Sequence, residues 1–304
     1  MTVDADGYAW WYVDGISDDG DRAASVIGFI GSVFSPYYRW TGRRDPLNHS
    51  SINVALYGRG GRWAMTERGR GAVRQSETRF EVGPSSMEWD GDALTIRIDE
   101  IAVPHLTRLR GTIRVFPSAV TEVEAALDPA GAQVWRPFAP VSRIEVDIDR
   151  DGWRWDGHGY FDANFGTRAL EDDFSYWTWS RLPTRDGAAT FYDAARRDGS
   201  HLEVALRFGK DGSVEPLEAP PRARMKRTLW QVRRETRADE GFTPHQVRPM
   251  LDAPFYSRSM VRTRVGGEES VGVHEALDLD RFANPLLKFM LPVRMPRRSG
   301  WTWK

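Results

Sequence analysis

The chain has 304 residues, and its 42 basic and 43 acidic residues leave a formal net charge of −1, so no global field would attract nucleic acid. The absence of cysteine excludes a disulfide framework and a thiol nucleophile. No apolar run approaches the roughly 18 residues of a membrane-spanning helix, and no apolar leader segment follows Met1, so we expect a cytoplasmic protein.

Aromatic residues make up 12% of the chain, including 13 Trp, and they are accompanied by 28 Gly and 18 Pro. This composition favours short strands and tight turns around a large apolar cavity. In the first half, β-prone runs recur at short intervals, separated by turn sequences such as Ser17–Gly20 and Gly58–Gly61. The predicted strands are Tyr8–Val13, Ala23–Phe34, Ser51–Tyr57, Arg62–Thr66, Thr78–Val82, Ser86–Asp90, Ala93–Ile101 and Leu109–Phe116.

The strand pattern lapses from Pro117 to Gly131 and then resumes, with one helical turn expected at Arg168–Asp173. The later predicted strands are Trp135–Pro140, Val141–Asp149, Gly152–Phe161, Phe174–Arg181, Ala188–Ala195, Leu202–Phe208, Ser213–Leu217, Thr228–Arg234, Phe255–Arg264 and Ser270–Leu277. We therefore predict an all-β fold with two antiparallel β-barrel or sandwich domains, residues 1–150 and 151–304, the boundary being approximate. The aromatic runs Tyr8–Tyr12 and Tyr176–Trp179 are consistent with a duplication, or simply with the preference of Trp and Tyr for strands.

The C-terminal tail differs from the rest of the chain. Leu279–Leu291 has apolar residues at helical spacing, interrupted by Pro285, which predicts a short helix. Basic and Trp residues follow it, namely Arg294, Arg297, Arg298, Trp301, Trp303 and Lys304. Such a helix suits a peripheral contact with the inner face of the cytoplasmic membrane, or docking onto a barrel.

The stretch Trp153–Trp179 is the candidate site, because it mixes ionisable side chains with Trp153, Trp155, Trp177 and Trp179. No metal-ligand spacing, serine-hydrolase motif or nucleotide-binding glycine loop occurs in the chain, which leaves acid–base chemistry by carboxylates and aromatic residues. Strand alternation would place His158, Tyr160 and Asp162 on one face. In an apolar cavity, desolvation would raise the pKa of Asp162 and make it a proton donor. The alternative is that Asp162, Asn164 and Gly166 form a turn.

Several segments resemble the acyclic carotenoid 1,2-hydratase family, also called hydroxyneurosporene synthase. They include YAWWYVDGISDDG, IGFIGSVFSPYYRW, DPLNHSSINVALYG, RWAMTERGRGAV, WRPFAP and GHGYFDANFG followed by LEDDFSYWTWSR. The resemblance covers the chain from about Tyr8 to about Phe208 and thins beyond it. It implies a lipocalin-like fold with two β-barrel-like domains.

The resemblance also implies cofactor-independent addition of water across the terminal double bond of an acyclic carotene such as neurosporene or lycopene. The Tyr-x-Asp of the family falls on Tyr160 and Asp162, and the Trp of its His-x-Trp pair falls on Trp135, whereas the His position is Gln133. We expect Asp162 to act as the acid, Tyr160 and Trp135 to face the carbocation or position the acid, and His158 or Tyr160 to relay a proton.

The remaining predicted substrate-binding residues are Gln133, Trp11, Trp153, Trp155, Trp177 and Trp179. The expected partner is a hydrophobic isoprenoid, with no metal or cofactor. Two alternatives remain open at this point: an isoprenoid or polyene cyclase or pericyclase of the same lipocalin-like group, and a non-catalytic carotenoid or lipid carrier. A carbohydrate-binding Trp platform is a weaker third.

Overall fold

The structure is a computed structural model that describes residues 2–298, and nearly all of its regular structure is β-strand. The first strands are β1 (Tyr8–Ser17), β2 (Ala23–Ile30), β3 (Ser51–Tyr57), β4 (Arg62–Met65), β5 (Glu67–Arg68), β6 (Val73–Gln75), β7 (Arg79–Val82), β8 (Ser85–Trp89), β9 (Leu94–Ala102), β10 (Thr107–Pro117), β11 (Ala125–Ala126), β12 (Gln133–Ile148) and β13 (Arg154–Gly166). The later strands are β14 (Phe174–Thr184), β15 (Gly187–Arg196), β16 (His201–Gly209), β17 (Val214–Pro216), β18 (Arg222–Met225), β19 (Arg234–Arg237), β20 (His245–Asp252), β21 (Tyr256–Val265), β22 (Glu268–Asp278) and β23 (Arg297–Arg298).

Helices are few and short. They are α1 (Pro36–Trp40), α2 (Leu170–Asp173), α3 (Leu279–Ala283), α4 (Pro285–Lys288) and α5 (Leu291–Arg294), with 3-10 turns at Pro46–Asn48 and Arg70–Ala72. The predicted all-β class, with short helical structure near the C-terminus, is confirmed.

The chain divides into two compact units. Unit 1 comprises Met1–Ala169 and Lys288–Lys304, and unit 2 comprises Leu170–Leu287. The boundary expected near residue 150 falls between β12 and β13, which pair with each other inside unit 1. The boundary between the two units comes after the end of β13 instead, because this strand also pairs with β1 and so completes the N-terminal sheet.

Unit 1 is built on one antiparallel sheet with the strand order β4-β3-β2-β1-β13-β12-β10-β9-β8-β7-β6. The sheet curls, so that β4 comes close to β9. One face carries a continuous apolar core that includes Val26, Val54, Ile96 and Ile113, none of which has any exposed surface. The β-branched side chains of these residues favour the strand conformation and fill the space inside the curl.

Strand β13 separates this core from the candidate site. It runs in unbroken antiparallel register with β1, from Tyr8 opposite Gly166 to Ser17 opposite Gly157. Phe161 packs against the apolar core. Because side chains alternate along a strand, Tyr160 and Asp162 lie on the other face. The alternative of a turn at Asp162 is wrong, since the strand continues to Gly166.

Unit 2 contains a seven-stranded antiparallel sheet with the order β17-β16-β15-β14-β22-β21-β20, and a two-stranded ribbon of β18 and β19. The strand predicted at Thr228–Arg234 is wrong, because β19 begins only at Arg234. Gln231 has a φ of 61° and its N–H donates to the carbonyl of Thr228, which makes a tight turn there.

The helix predicted at Leu279–Leu291 is divided into α3, α4 and α5. Pro285 causes the first break, since it has no N–H and disfavours the helical conformation of the preceding residue. After α5, β23 pairs in parallel with β5. The predicted tail residues Trp301, Trp303 and Lys304 lie outside the described residues.

A buried ion pair links β5 to β9 in unit 1. The guanidinium of Arg68 donates to both carboxyl oxygens of Glu100, at 2.9 and 2.8 Å, and the hydroxyl of Ser85 donates a third bond at 2.9 Å. The side chains of Arg68 and Glu100 are 1% and 0% exposed. Burial raises the pKa of Glu100, and the charge of Arg68 opposes that rise.

Replacing Arg68 by Met removes the cation and leaves the buried Glu100 carboxyl without it, so we expect the free energy of unfolding to fall by about 3–5 kcal/mol. Arg108→Met removes a comparable bidentate partner from Asp99, but at an exposed position, and we expect a loss of at most about 1 kcal/mol. Urea unfolding followed by Trp fluorescence measures both variants. Equal losses would contradict the structural importance of the buried pair.

Candidate active site

Three side chains of the predicted site meet at one carboxyl oxygen. The indole N–H of Trp135 donates to Oδ2 of Asp162 at 2.8 Å, and the hydroxyl of Tyr160 donates to the same atom at 2.7 Å. Trp135 and Tyr160 have no exposed surface, and Asp162 is 4% exposed. Strand pairing explains the meeting, because Trp135 lies opposite Asn164 on the adjacent strand β12. Neighbouring strands therefore fix the orientation of the carboxyl group.

The two donors define the chemistry that this carboxyl group can perform. Since both bond Oδ2, a proton carried by the group belongs on Oδ1. Burial raises the pKa of Tyr160 well above its usual value, and the charge of Asp162 raises it further. Tyr160 is thus a neutral phenol whose O–H stays available to donate. The arrangement suits a carboxylic acid whose conjugate base is stabilised by two hydrogen bonds.

Gln133, at the position of the family His, is fully buried and held at both ends of its amide. Its Oε1 accepts a hydrogen bond from the hydroxyl of Tyr8, and its Nε2 donates to the carbonyl of Arg168 at 3.2 Å. Opposite it on β13, a Cβ at Gly166 would lie only 2.4 Å from Gln133 Oε1, so a side chain there would displace the amide. Gln133 is a fixed hydrogen-bonding group two residues from Trp135 along β12.

The structure also brings in two residues that the sequence interpretation missed. The hydroxyl of Tyr12 donates to Oδ2 of Asp14 at 2.8 Å, and Asp14 has no exposed surface. In the register of β1 with β13, Tyr12 lies opposite Asp162 and Asp14 opposite Tyr160. The two tyrosine rings are 6.2 Å apart in an edge-to-face arrangement. The sequence did contain a signal that could have identified these two residues, because the Tyr-x-Asp motif occurs at 12–14 and again at 160–162.

His158 lies on the same strand face as Asp162 but four residues away, which is about 13 Å along a strand. Its charged neighbour Asp18 lies in the turn between β1 and β2. Hydrogen bonds from Arg143 are the main reason why the pKa of Asp18 is lowered, and the charge of His158 contributes to the same shift. In residues 2–298, no three His, Cys, Asp or Glu side chains gather in a way that could hold a metal ion.

Apart from Trp135, the predicted tryptophans of unit 1 pack on the side of the apolar core. Trp11 packs on Phe80, with ring centroids 5.1 Å apart, and lines a cavity of about 530 Å³ together with Phe161. Trp153 is fully buried in the apolar core, with the guanidinium of Arg22 5.0 Å from its ring centre. Trp155 is partly buried and packs against the same core.

Trp177 and Trp179 lie on β14 of unit 2, and both are buried. Trp177 contacts Phe174 and Tyr192, with ring centroids 6.0 and 5.8 Å away. The stretch Trp153–Trp179 therefore contributes to the core of unit 1, to the Asp162 cluster and to the sheet of unit 2.

Comparisons with known proteins agree with the resemblance of the sequence. A family model described as carotenoid hydratase CrtC matches residues 26–304. An acyclic carotenoid 1,2-hydratase of Cereibacter sphaeroides is 57% identical over 91% of this chain and 100% of its own length. One from Thiocapsa roseopersicina is 50% identical over 99% of this chain and 75% of its own length.

Among solved structures, kievitone hydratase from Nectria haematococca aligns with a TM-score of 0.56 at 11% identity, over 90% of each chain, and this likeness concerns the fold alone. The family match and the two sequence relatives together cover almost the whole chain. The chain therefore belongs to the CrtC family of carotenoid hydratases, enzymes of the hydro-lyase class.

Proposed function

We propose that this protein adds water across the terminal C1–C2 double bond of an acyclic carotene of the neurosporene or lycopene type, giving a tertiary alcohol at C1. The observation that carries the proposal is the buried Asp162 carboxyl group, whose Oδ2 accepts hydrogen bonds from both Trp135 and Tyr160. The names of the relatives, acyclic carotenoid 1,2-hydratases, support the substrate class.

Asp162 begins the reaction as a neutral acid. Its Oδ1–H bond breaks as a bond forms between that proton and C2, which leaves a tertiary carbocation at C1. The hydrogen bonds from Trp135 and Tyr160 stabilise the carboxylate that results, so the proton leaves more readily. The rings of the same two residues can stabilise the cation by about 0.5–2 kcal/mol each.

Water completes the reaction. Its oxygen forms the C1–O bond, and one of its protons passes to a base. The sum is the addition of one water molecule without any change of oxidation state, so the reaction needs no oxidant or reductant. Deep burial of Trp135, Tyr160 and Asp162 restricts water near the cation, which favours controlled addition at C1.

Replacing Asp162 by Asn keeps the shape of the side chain but removes the acidic proton. We expect the rate of hydration of lycopene to fall by about 10²–10⁴-fold, which is the usual contribution of a positioned general acid. Mass spectrometry of cell-free reactions with lycopene measures the product that is heavier by one water.

The control is Asp156→Asn, which makes the same substitution at an exposed position of the same strand and should keep the wild-type rate. Hydration at the wild-type rate in Asp162→Asn would refute the acid assignment. An isomer of lycopene as the only product of the wild-type protein would support a cyclase, and unchanged bound pigment would support a carrier.

We also propose that the C-terminal segment of unit 1 contacts the membrane that holds the substrate. Phe289, Met290 and Val293 are 66%, 49% and 72% exposed, and Phe289 packs on Trp40, which is 51% exposed. Together they form an apolar aromatic surface of the kind that inserts at a lipid interface. An acyclic carotene is insoluble in water and has to be taken from a bilayer. In the described part of the chain, no helix is long and apolar enough to span a membrane.

Replacing both Phe289 and Val293 by Ser removes apolar surface that a bilayer would bury, and we expect binding to weaken at least about tenfold, since each such side chain contributes about 1.5–3 kcal/mol when buried. Co-sedimentation with vesicles of phosphatidylethanolamine and phosphatidylglycerol measures the affinity. Leu106→Ser is the matched control, because Leu106 is 73% exposed at another part of unit 1. Unchanged binding of the double variant, or an equal loss in the control, would contradict the assignment.

A further inference from the structure

A second buried carboxylate lies beside the proposed acid. Asp14 has no exposed surface, and its Oδ2 accepts a hydrogen bond from the hydroxyl of Tyr12 at 2.8 Å. Burying a carboxyl group is unfavourable by several kcal/mol unless polar partners offset it. A sheet residue that served folding alone would be apolar at such a position, as Val13 is on the other face.

The register places Asp14 diagonally across from Asp162. Asp14 is paired with Tyr160 and Tyr12 with Asp162, so the tyrosine of each Tyr-x-Asp motif lies opposite the aspartate of the other. The Cα atoms of diagonal neighbours on one face of an antiparallel sheet are about 7–8 Å apart, so both side chains can reach the space between them. Two carboxyl groups at roughly 6.5–9.5 Å leave room for a water molecule between them, as inverting glycosidases illustrate. The charge of Asp14 also acts on the hydroxyl of Tyr160, where it helps to raise the pKa of that phenol.

Building on the proposed function, we infer that Asp14 is the base that accepts the proton of the attacking water, and that Tyr12 holds its carboxylate in place. When Asp162 has given its proton to C2, the oxygen of water forms the C1–O bond. One O–H bond of that water breaks, and the proton moves to Asp14. The product is the neutral alcohol, Asp162 is left as a carboxylate and Asp14 as a carboxylic acid.

The reaction leaves the number of protons on the two carboxyl groups unchanged. Asp162 gives one proton to C2 and Asp14 takes one from water, so the pair carries one proton before and after. Before the next turnover that proton returns from Asp14 to Asp162. Buried carboxylate pairs that share one proton are an established way of keeping one member neutral and the other ionised. The two groups thus divide the work, with Asp162 protonating the carbon and Asp14 deprotonating the water.

Because Asp162 and Asp14 are assigned different proton transfers, isotope exchange in D₂O can distinguish their roles. Without Asp14, Asp162 still delivers a deuteron to C2, but the cation is not captured efficiently. When the original C2–H bond then breaks and its proton passes to the Asp162 carboxylate, the double bond re-forms and deuterium remains at C2. We expect Asp14→Asn to lower the rate of alcohol formation by about 10²-fold or more, while deuterium appears in the recovered lycopene. Asp162→Asn should abolish both the alcohol and the label, because no cation forms.

Tyr12→Phe provides a second variant that leaves the carboxylate in place and removes only the hydroxyl that binds it. We expect alcohol formation to fall by about tenfold, as the loss of one hydrogen bond to a charged group predicts, with deuterium exchange retained. This variant decides the question if Asp14→Asn does not fold, which circular dichroism will show. Tyr38→Phe is the control, because it likewise removes a buried tyrosine hydroxyl, which donates to the carbonyl of Gly7 and not to a carboxylate of the proposed site.

Alcohol formation at the wild-type rate in Asp14→Asn or Tyr12→Phe would overturn the assignment. Loss of the label together with the alcohol in a folded Asp14→Asn protein would also overturn it, since Asp14 would then be needed for protonation. Failure of the proposed function gives a different result, namely no alcohol from the wild-type protein or full activity in Asp162→Asn.

Discussion

The position of β13 between β1 and β12 is the constraint on which the site depends. Trp135 reaches Asp162 only because β12 lies beside β13, and Tyr12 and Asp14 face the same carboxyl group only because β1 lies on the other side. A slip of one residue in this pairing would turn Asp162 toward the apolar core and Phe161 toward the site. The apolar core therefore fixes the arrangement of the candidate site as well as the fold, since it penalises every other register.

Local sequence was sufficient for much of the fold. Ser51–Tyr57 was predicted and found with the same bounds, because β-branched and aromatic residues are flanked there by polar and glycine turns. The common face of Tyr160 and Asp162 also followed from strand alternation and is confirmed by their hydrogen bond. Where the backbone departs from regular geometry, local patterns failed. The turn at Gln231 lies within an apparent strand, and Pro285 interrupts an apparent helix.

The composition of the site was only partly predictable, because it depends on pairings between distant segments. Trp153 and Trp155 are close to Asp162 in sequence, yet they pack on the core face. Tyr12 and Asp14 are about 150 residues away in sequence and lie on the adjacent strand, and periodicity within one segment gives no information about such a neighbour. The repeated Tyr-x-Asp spacing was the one sequence signal that linked the two segments, and its meaning became clear only with the register.

The two faces of β13 differ in character, and in the proposed mechanism one serves stability and the other chemistry. On one face Phe161 lies against aliphatic and aromatic side chains that need only to exclude water. On the other, Tyr160 and Asp162 are buried more deeply, and their hydrogen bonds have a direction, from an N–H or O–H to a carboxyl oxygen. Apolar residues of similar size would bury more favourably at these positions. The polar face is therefore better explained by a reaction that needs oriented proton donors and acceptors away from bulk water than by the requirements of folding.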